Sequence, residues 1–251
     1  MPGLAAFFKT LGRLHINYVL ATNNATKLAT QYADKLQRFG VSVAPETILT
    51  SADATASYLH ERLGPGKVAY VVGEEGLRVP MERNGFRLLT PRTGDGAVVA
   101  GDSADVVVVG FTPSACYSHL ASAAHLINQG ALFVGTNPDV SLPHEAGPLP
   151  GAGAFLAFLE AATGREPIVI GKPGRTVFEE ALRRLGGRDA ETAMVGDRLE
   201  TDIAGARAAG LRSILLLSGV TRPEHLSQSD IKPDLVFDDI QELGRYLMEQ
   251  K

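Results

Sequence analysis

The 251 residues contain no tryptophan and one cysteine, Cys116. A single thiol excludes an internal disulfide framework and suits a reducing compartment, the cytoplasm. A basic surplus is also missing. Twenty-four Lys and Arg stand against 28 Asp and Glu, a formal net charge of −4, with no Lys/Arg-rich block or basic-aromatic stripe. That balance argues against a nucleic-acid partner. No segment reaches the roughly 18 consecutive apolar residues of a membrane span, and no leader with a cleavage site opens the chain. A soluble, cytoplasmic protein without membrane contact is expected. What the sequence does hold is 45% hydrophobic residues, over a length that suits one large domain or two modest ones.

Apolar runs alternate with helical spacing. Leu4, Phe7, Phe8, Leu11 and Leu14 predict an opening amphipathic helix, followed by a strand over 18–21 and a helix carrying Tyr32, Leu36 and Phe39. Helix 52–63 ends at Gly64-Pro65-Gly66, a plausible boundary. From Lys67 the β-branched runs 68–72, 106–109 and 132–134 read as an α/β domain of their own, up to the Pro- and Gly-rich loop 136–153. The first texture then returns: helix 154–163, strand 168–170, helix 177–185, strand 193–195, helix 203–209, strands 213–217 and 234–237, and helix 243–248. The expectation is an α/β fold with a doubly wound, Rossmann-like parallel-sheet core over 1–66 and 146–251, and an inserted α/β cap over 67–145. A βαβ unit opens on a strand and this chain opens on a helix, so the first core strand is expected to be absent.

Three predicted strands end on polar groups. Val195-Gly196 runs into Asp197, with Asp202 five residues on; 168–170 runs into Gly171-Lys172-Pro173; 18–21 runs into Thr22-Asn23-Asn24. A carboxylate on the tip of a buried strand is costly without a positive partner, and a hard divalent cation is a common one. Ligands of open parallel sheets bind outside the carboxyl ends of the strands. A hydroxyl with amides, an ammonium and two carboxylates suit a phosphoryl group held with Mg²⁺. Each motif also has a plainer reading. Thr22, Asn23 and Asn24 would serve as a helix N-cap, Lys172 as a solvated lysine, and Asp202 as an acid favoured at a helix start. That last reading does not account for Asp197. Cys116, with His119 and His125 nearby in sequence, reads as a buried or half-buried residue at a helix start rather than a nucleophile. Gly151-Ala152-Gly153 lacks the strand and third glycine of a dinucleotide loop, and His60, His144 and His225 show no metal-ligand spacing.

Together these motifs resemble those of the haloacid dehalogenase-like hydrolases, and more narrowly the NagD-type nitrophenyl and phosphoglycolate phosphatases. Residues 19–24 are similar to the family's second motif, Ile170-Gly171-Lys172-Pro173 to its third, and Val195-Gly196-Asp197 with Asp202 to its fourth. Thr50-Ser51-Ala52, 135–139 and 215–221 add to the likeness. The resemblance implies a Mg²⁺-dependent hydrolase of small phosphomonoesters, working through an aspartyl phosphate. It places Asp197 and Asp202 at the metal, Lys172 and Thr22 in catalysis, and Thr22, Asn23, Asn24 and Lys172 on the substrate, with Asn137 and Asp139 added from the cap. A small phosphorylated metabolite would be the partner, and the apolar runs of the cap would support a homodimer. The family's first motif, Asp-x-Asp-Gly with its nucleophile, is found nowhere in the sequence. The chain is therefore expected to be N-terminally truncated and inactive as it stands. The alternative is a non-catalytic phosphate-binding pseudoenzyme or inactive fragment.

Overall fold

The computed structural model describes residues 3–89, 103–142, 145, 147–187 and 189–250. His144, noted in the sequence, lies outside them. In chain order come α1 (Leu4–Arg13), β1 (Leu20–Thr22), α2 (Ala29–Arg38), β2 (Ile48–Thr50), α3 (Ser51–Leu63), β3 (Val68–Val72), α4 (Glu75–Arg83), β4 (Arg87–Leu89) and β5 (Val106–Val109). Then follow α5 (Tyr117–Asn128), β6 (Leu132–Gly135), β7 (Ser141–Leu142), β8 (Leu149–Pro150), α6 (Ala152–Thr163), β9 (Ile168–Val169) and α7 (Arg175–Leu185). The chain finishes with β10 (Ala193–Gly196), α8 (Ala204–Ala208), β11 (Arg212–Leu216), α9 (Pro223–Gln228), β12 (Leu235–Phe237) and α10 (Ile240–Glu249).

Two compact units share these elements. One comprises Met1–Leu20, Thr30–Ile48 and Lys172–Lys251; the other comprises Ala21–Ala29 and Leu49–Gly171. This division differs from the expected boundaries at 66/67 and 145/146. The reason lies in pairing. Strand β9 joins β6 in parallel, with Val134 opposite Ile168, and Leu156 and Leu159 of α6 pack into the same core as Val107, Val109 and Phe133. The predicted helix 154–163 and strand 168–170 therefore belong to the β-branched unit, although their texture matches the other.

In the first unit β10, β11 and β12 pair in parallel in that order. Successive side chains of a strand face opposite sides. Accordingly, Ile214 and Leu216 of β11 pack with Phe237 and Leu243, while Leu215 packs with Leu199 and Ile203. The sequence 193–195 reads as a buried strand, but β10 ends its sheet and leaves Ala193 and Val195 exposed. Pairing on one side only explains the difference.

The second unit holds a five-stranded parallel sheet in the order β4-β3-β5-β6-β9. Tyr70, Val72, Val107 and Val109 face α5 and α6 residues such as Leu126, Ile127 and Leu159. The alternate residues Ala69, Val71, Val106 and Val108 are equally buried, as expected when both faces of a parallel sheet are covered. The side chain of Thr50 starts α3 with a capping box, accepting from Asp53 N at 3.0 Å while Asp53 Oδ2 accepts from Thr50 N at 3.2 Å.

Candidate functional site

In the first unit the candidate site starts at the tip of β10. A π-turn over Leu199–Ile203 follows the strand and brings the buried Asp202 back onto it. Asp202 Oδ2 accepts from the backbone N–H groups of Asp197 and Arg198, each at 3.1 Å. A Cβ on Gly196 would stand 2.3 Å from the Cβ of Asp202 and 2.5 Å from its Oδ2, so only glycine admits this approach. Oδ1 has no hydrogen bond, yet the Lys172 ammonium lies 2.8 Å away, with the two side chains only 12% and 5% exposed. At that distance the contact is a charge pair, and it answers the cost of burying the carboxylate.

Asp197 is fixed from the other side. Its Oδ2 accepts from Val220 N at 2.8 Å and its carbonyl from Thr221 N at 3.0 Å. A Cβ on Gly219 would fall 2.2 Å from Asp197 Oδ2, which explains a glycine three residues past the end of β11. The sequence reading did not assign Gly219 a role; its signal was the run Ser218-Gly219-Val220-Thr221.

Hard carboxylate oxygens suit Mg²⁺. Among the described residues no group of three or more His, Cys, Asp or Glu could hold a metal. Both oxygens of Asp202 are engaged, whereas Asp197 has one without a partner among the described residues. A hard cation would therefore meet one open carboxylate oxygen here, that of Asp197, and no preformed ligand cluster among the described residues.

In the second unit, Thr22 and Asn24 form local turns. Thr22 Oγ1 accepts from Asn24 N at 3.2 Å, and Asn24 Oδ1 accepts from Thr26 N at 2.9 Å and Thr26 Oγ1 at 2.7 Å. Helix α2 begins only at Ala29. The expected helix N-terminus directly after Thr22-Asn23-Asn24 is thus displaced by these turns, and the N-cap reading of the three residues goes with it.

Asn23 has long-range partners. Its Nδ2 donates to Asp139 Oδ2 at 3.3 Å, and its carbonyl accepts from Ser51 Oγ at 2.7 Å and Asn137 Nδ2 at 3.0 Å. Asn137 Oδ1 in turn accepts from Asp139 N at 3.2 Å. The structure thus joins Asn23, Asn137 and Asp139. It adds Ser51, whose sequence signal was its place in the run Thr50-Ser51-Ala52. Three glycines allow the packing around this network. A Cβ on Gly171 would lie 2.5 Å from Thr136 O, one on Gly153 2.2 Å from Pro138 O, and one on Gly76 2.3 Å from Lys27 N. Thr22, Asn23, Asn24, Asn137 and Asp139 belong to this unit, and Lys172, Asp197 and Asp202 to the other.

The remaining flagged residues are accounted for locally. Cys116 does start helix α5 but is exposed rather than buried, because it caps the helix instead of facing the sheet. The Ser118 hydroxyl, at 3.1 Å, and the His119 N–H hold its thiol below the usual cysteine range. His60 Nδ1 lies 2.9 Å from Asn84 O, and His225 Nδ1 accepts from Arg222 N at 3.4 Å. No helix among the described residues is long and apolar enough to cross a membrane.

Two family models match the chain: haloacid dehalogenase-like hydrolase over residues 1–87, and HAD-hydrolase-like over residues 169–243. The 5'-nucleotidase YutF of Bacillus subtilis is 36% identical, over 96% of this chain and 90% of that protein. The dihydroxyacetone phosphatase of Corynebacterium glutamicum is 33% identical, over 97% and 84%. Among solved structures, a p-nitrophenyl phosphatase from Archaeoglobus fulgidus superposes with a TM-score of 0.88 at 30% identity, covering 98% of this chain and 92% of that one. A thermostable NPPase double mutant from Geobacillus stearothermophilus gives 0.87 at 35% identity, covering 96% and 92%.

Proposed function

Because the chain belongs to the haloacid dehalogenase-like hydrolases, in their NagD-type phosphatase branch, we propose that its residues serve Mg²⁺-assisted hydrolysis of a small phosphomonoester through an aspartyl phosphate. The observation that carries this reading is the buried Lys172–Asp202 pair standing behind Asp197. Asp197 holds the cation through its open oxygen. Asp202 fixes the backbone of Asp197 and sets the Lys172 ammonium, whose charge offsets that of the phosphoryl oxygens. When bound, Mg²⁺ adds further neutralisation at those oxygens. Thr22 and Asn23 hold the phosphoryl group, with Asn137 and Asp139 orienting Asn23. Of the two carboxylates that the sequence reading put at the metal, with Asp202 acting directly or through water, Asp197 takes the direct role here and Asp202 stands behind it. Asn24 acts through its turn. We assign the family cap's role of excluding water and selecting the leaving group to 49–171. A homodimer formed through that unit, where Tyr117 and Phe158 are exposed, and a cytoplasmic setting complete the reading.

No Asp-x-Asp occurs in the 251 residues, and this favours a second reading for them taken alone: phosphate binding without turnover. Phosphomonoester hydrolysis is among the slowest uncatalysed reactions, so metal and lysine without a nucleophile leave a high barrier. The test compares p-nitrophenyl phosphate hydrolysis by residues 1–251 with that of the same residues preceded by an Asp-x-Asp-Gly strand. With Mg²⁺, the extended protein is expected to turn over at least about 10³-fold faster, and Asp197→Asn in it to raise the Mg²⁺ requirement. Equal Mg²⁺-dependent turnover would place the nucleophile within the 251 residues. Silence of both would favour the binding protein.

A further inference from the structure

Glycine is a poor helix former, and Gly76 stands in the first turn of α4 with no left-handed φ to account for it. Space accounts for it instead. A Cβ there would lie 2.3 Å from Lys27 N, 2.4 Å from the Thr26 carbonyl carbon and 2.7 Å from Ala25 O. All three atoms are main chain, so no side chain can swing away to make room. The start of α4 thus lies directly on the backbone that follows Asn23 and Asn24.

The helix is held from its other sides. Leu77, fully buried, is wedged between the ends of β3 and β5: a Cβ on Gly73 would fall 2.8 Å from its Cδ2, and one on Gly110 3.2 Å. Thr112, past the end of β5, donates to Glu74 Oε1 at the helix start. Helix α3 packs along α4 as well. A side chain at 76 would therefore displace the turn and not the helix. Within the turn, Thr26 N and Oγ1 donate to Asn24 Oδ1 at 2.9 and 2.7 Å, and Asn24 N donates to Thr22 Oγ1 at 3.2 Å. A shift at 25–27 passes through these bonds to Thr22 and Asn23. It also strains the bonds from Ser51 Oγ and Asn137 Nδ2 to the Asn23 carbonyl.

We propose that Gly76 is a positioning residue for phosphoryl binding. Helix α4 is the seat of residues 22–27, and the missing side chain at 76 sets where the Thr22 hydroxyl and the Asn23 amide meet the phosphoryl oxygens. Gly76 touches no substrate and acts through the turn. The inference rests on the reading of Thr22 and Asn23 as phosphoryl-binding residues.

The test is calorimetric titration of the 251-residue protein with inorganic phosphate in the presence of Mg²⁺, beside thermal melts, for the parent and three variants. Gly76→Ala is expected to weaken phosphate binding at least about tenfold, the worth of one hydrogen bond to a charged group, in protein that still melts cooperatively. Met81→Ala is the control for stability alone. Its side chain is fully buried on the same helix, more than a turn from Gly76, so it should lower the melting temperature and leave phosphate affinity, measured well below the melt, at the parent's. Thr26→Val removes the Oγ1 bond to Asn24 without altering α4. It should weaken phosphate binding about threefold, and it decides the matter if Gly76→Ala does not fold. Parent-like affinity in Gly76→Ala, or in Thr26→Val where Gly76→Ala does not fold, would overturn the inference and leave the phosphatase reading standing. So would a loss in Met81→Ala equal to that in Gly76→Ala, because binding would then follow stability and not position. Failure of the parent to bind phosphate would remove that reading, and the inference with it.

Discussion

Asp234 and Asp202 use their carboxylates alike: one oxygen takes two donors from a neighbouring segment. Asp234 Oδ2 accepts from both Ser213 Oγ and Ser213 N at 2.7 Å, and the Ser213 hydroxyl, followed by its N–H, holds the carboxyl below the usual aspartate range. A carboxyl whose pKa falls on folding adds stability above its unfolded value, about 3.9, and loses it as pH drops through the lower folded value. Asp234→Asn should therefore lower the melting temperature at pH 7. The gap from the parent should shrink progressively below about pH 4. A gap that stays constant down to acid would show that the charge of Asp234 contributes nothing. At this scale legibility depended on distance along the chain. Asp197 and Asp202 stand five residues apart, within reach of a motif. The bonds from Ser51 and Asn137 to the Asn23 carbonyl span 28 and 114 residues, and no local pattern encodes them.

Among the elements, β11 carries the first unit. It lies between β10 and β12, and every residue after Arg212 is buried. Leu215 is fully buried against Leu199 and Ile203, the hydrophobic residues of the π-turn that carries Asp202. Leu215→Ala should cost about 2–5 kcal/mol, read from chemical denaturation. It should also weaken Mg²⁺ binding by loosening the turn. A loss below about 1 kcal/mol would mean that the turn collapses into the space. Long β-branched runs such as β3 and β5 were legible because nothing but a strand accommodates them well. The short strands β2, β4, β7 and β8 carry too few side chains for a period and were not read, whereas the equally short β1, β9 and β12 end apolar runs that precede polar tips or turns. Helix α4 contains Pro80, which in a sequence reads as a helix stop. The sequence reading began a helix at 203 and missed the π-turn over Leu199–Ile203, because its wider winding leaves no compositional mark.

For the whole molecule, the edge of β10 sets behaviour in solution. Its last position in the sheet order and the 37% exposure of Val195 present unpaired backbone beside apolar surface, the combination that promotes strand-to-strand association. Concentration-dependent light scattering is expected from the 251 residues, and Val195→Lys should reduce it. Unchanged scattering would place the association on another surface. The division into units was legible in part. The sequence separates a β-branched block from its flanks, but α6 and β9 share the texture of one unit and the pairing of the other, and only the register of β6 with β9 assigns them.

All five strands of the second unit's sheet fall between Val68 and Val169, so one uninterrupted stretch of gene encodes the whole sheet of the unit proposed to choose the leaving group. Changes of diet for such an enzyme can be made in that stretch alone. Recombination that exchanges it between relatives would carry a preference for one metabolite across in a single event, leaving Lys172, Asp197 and Asp202 untouched.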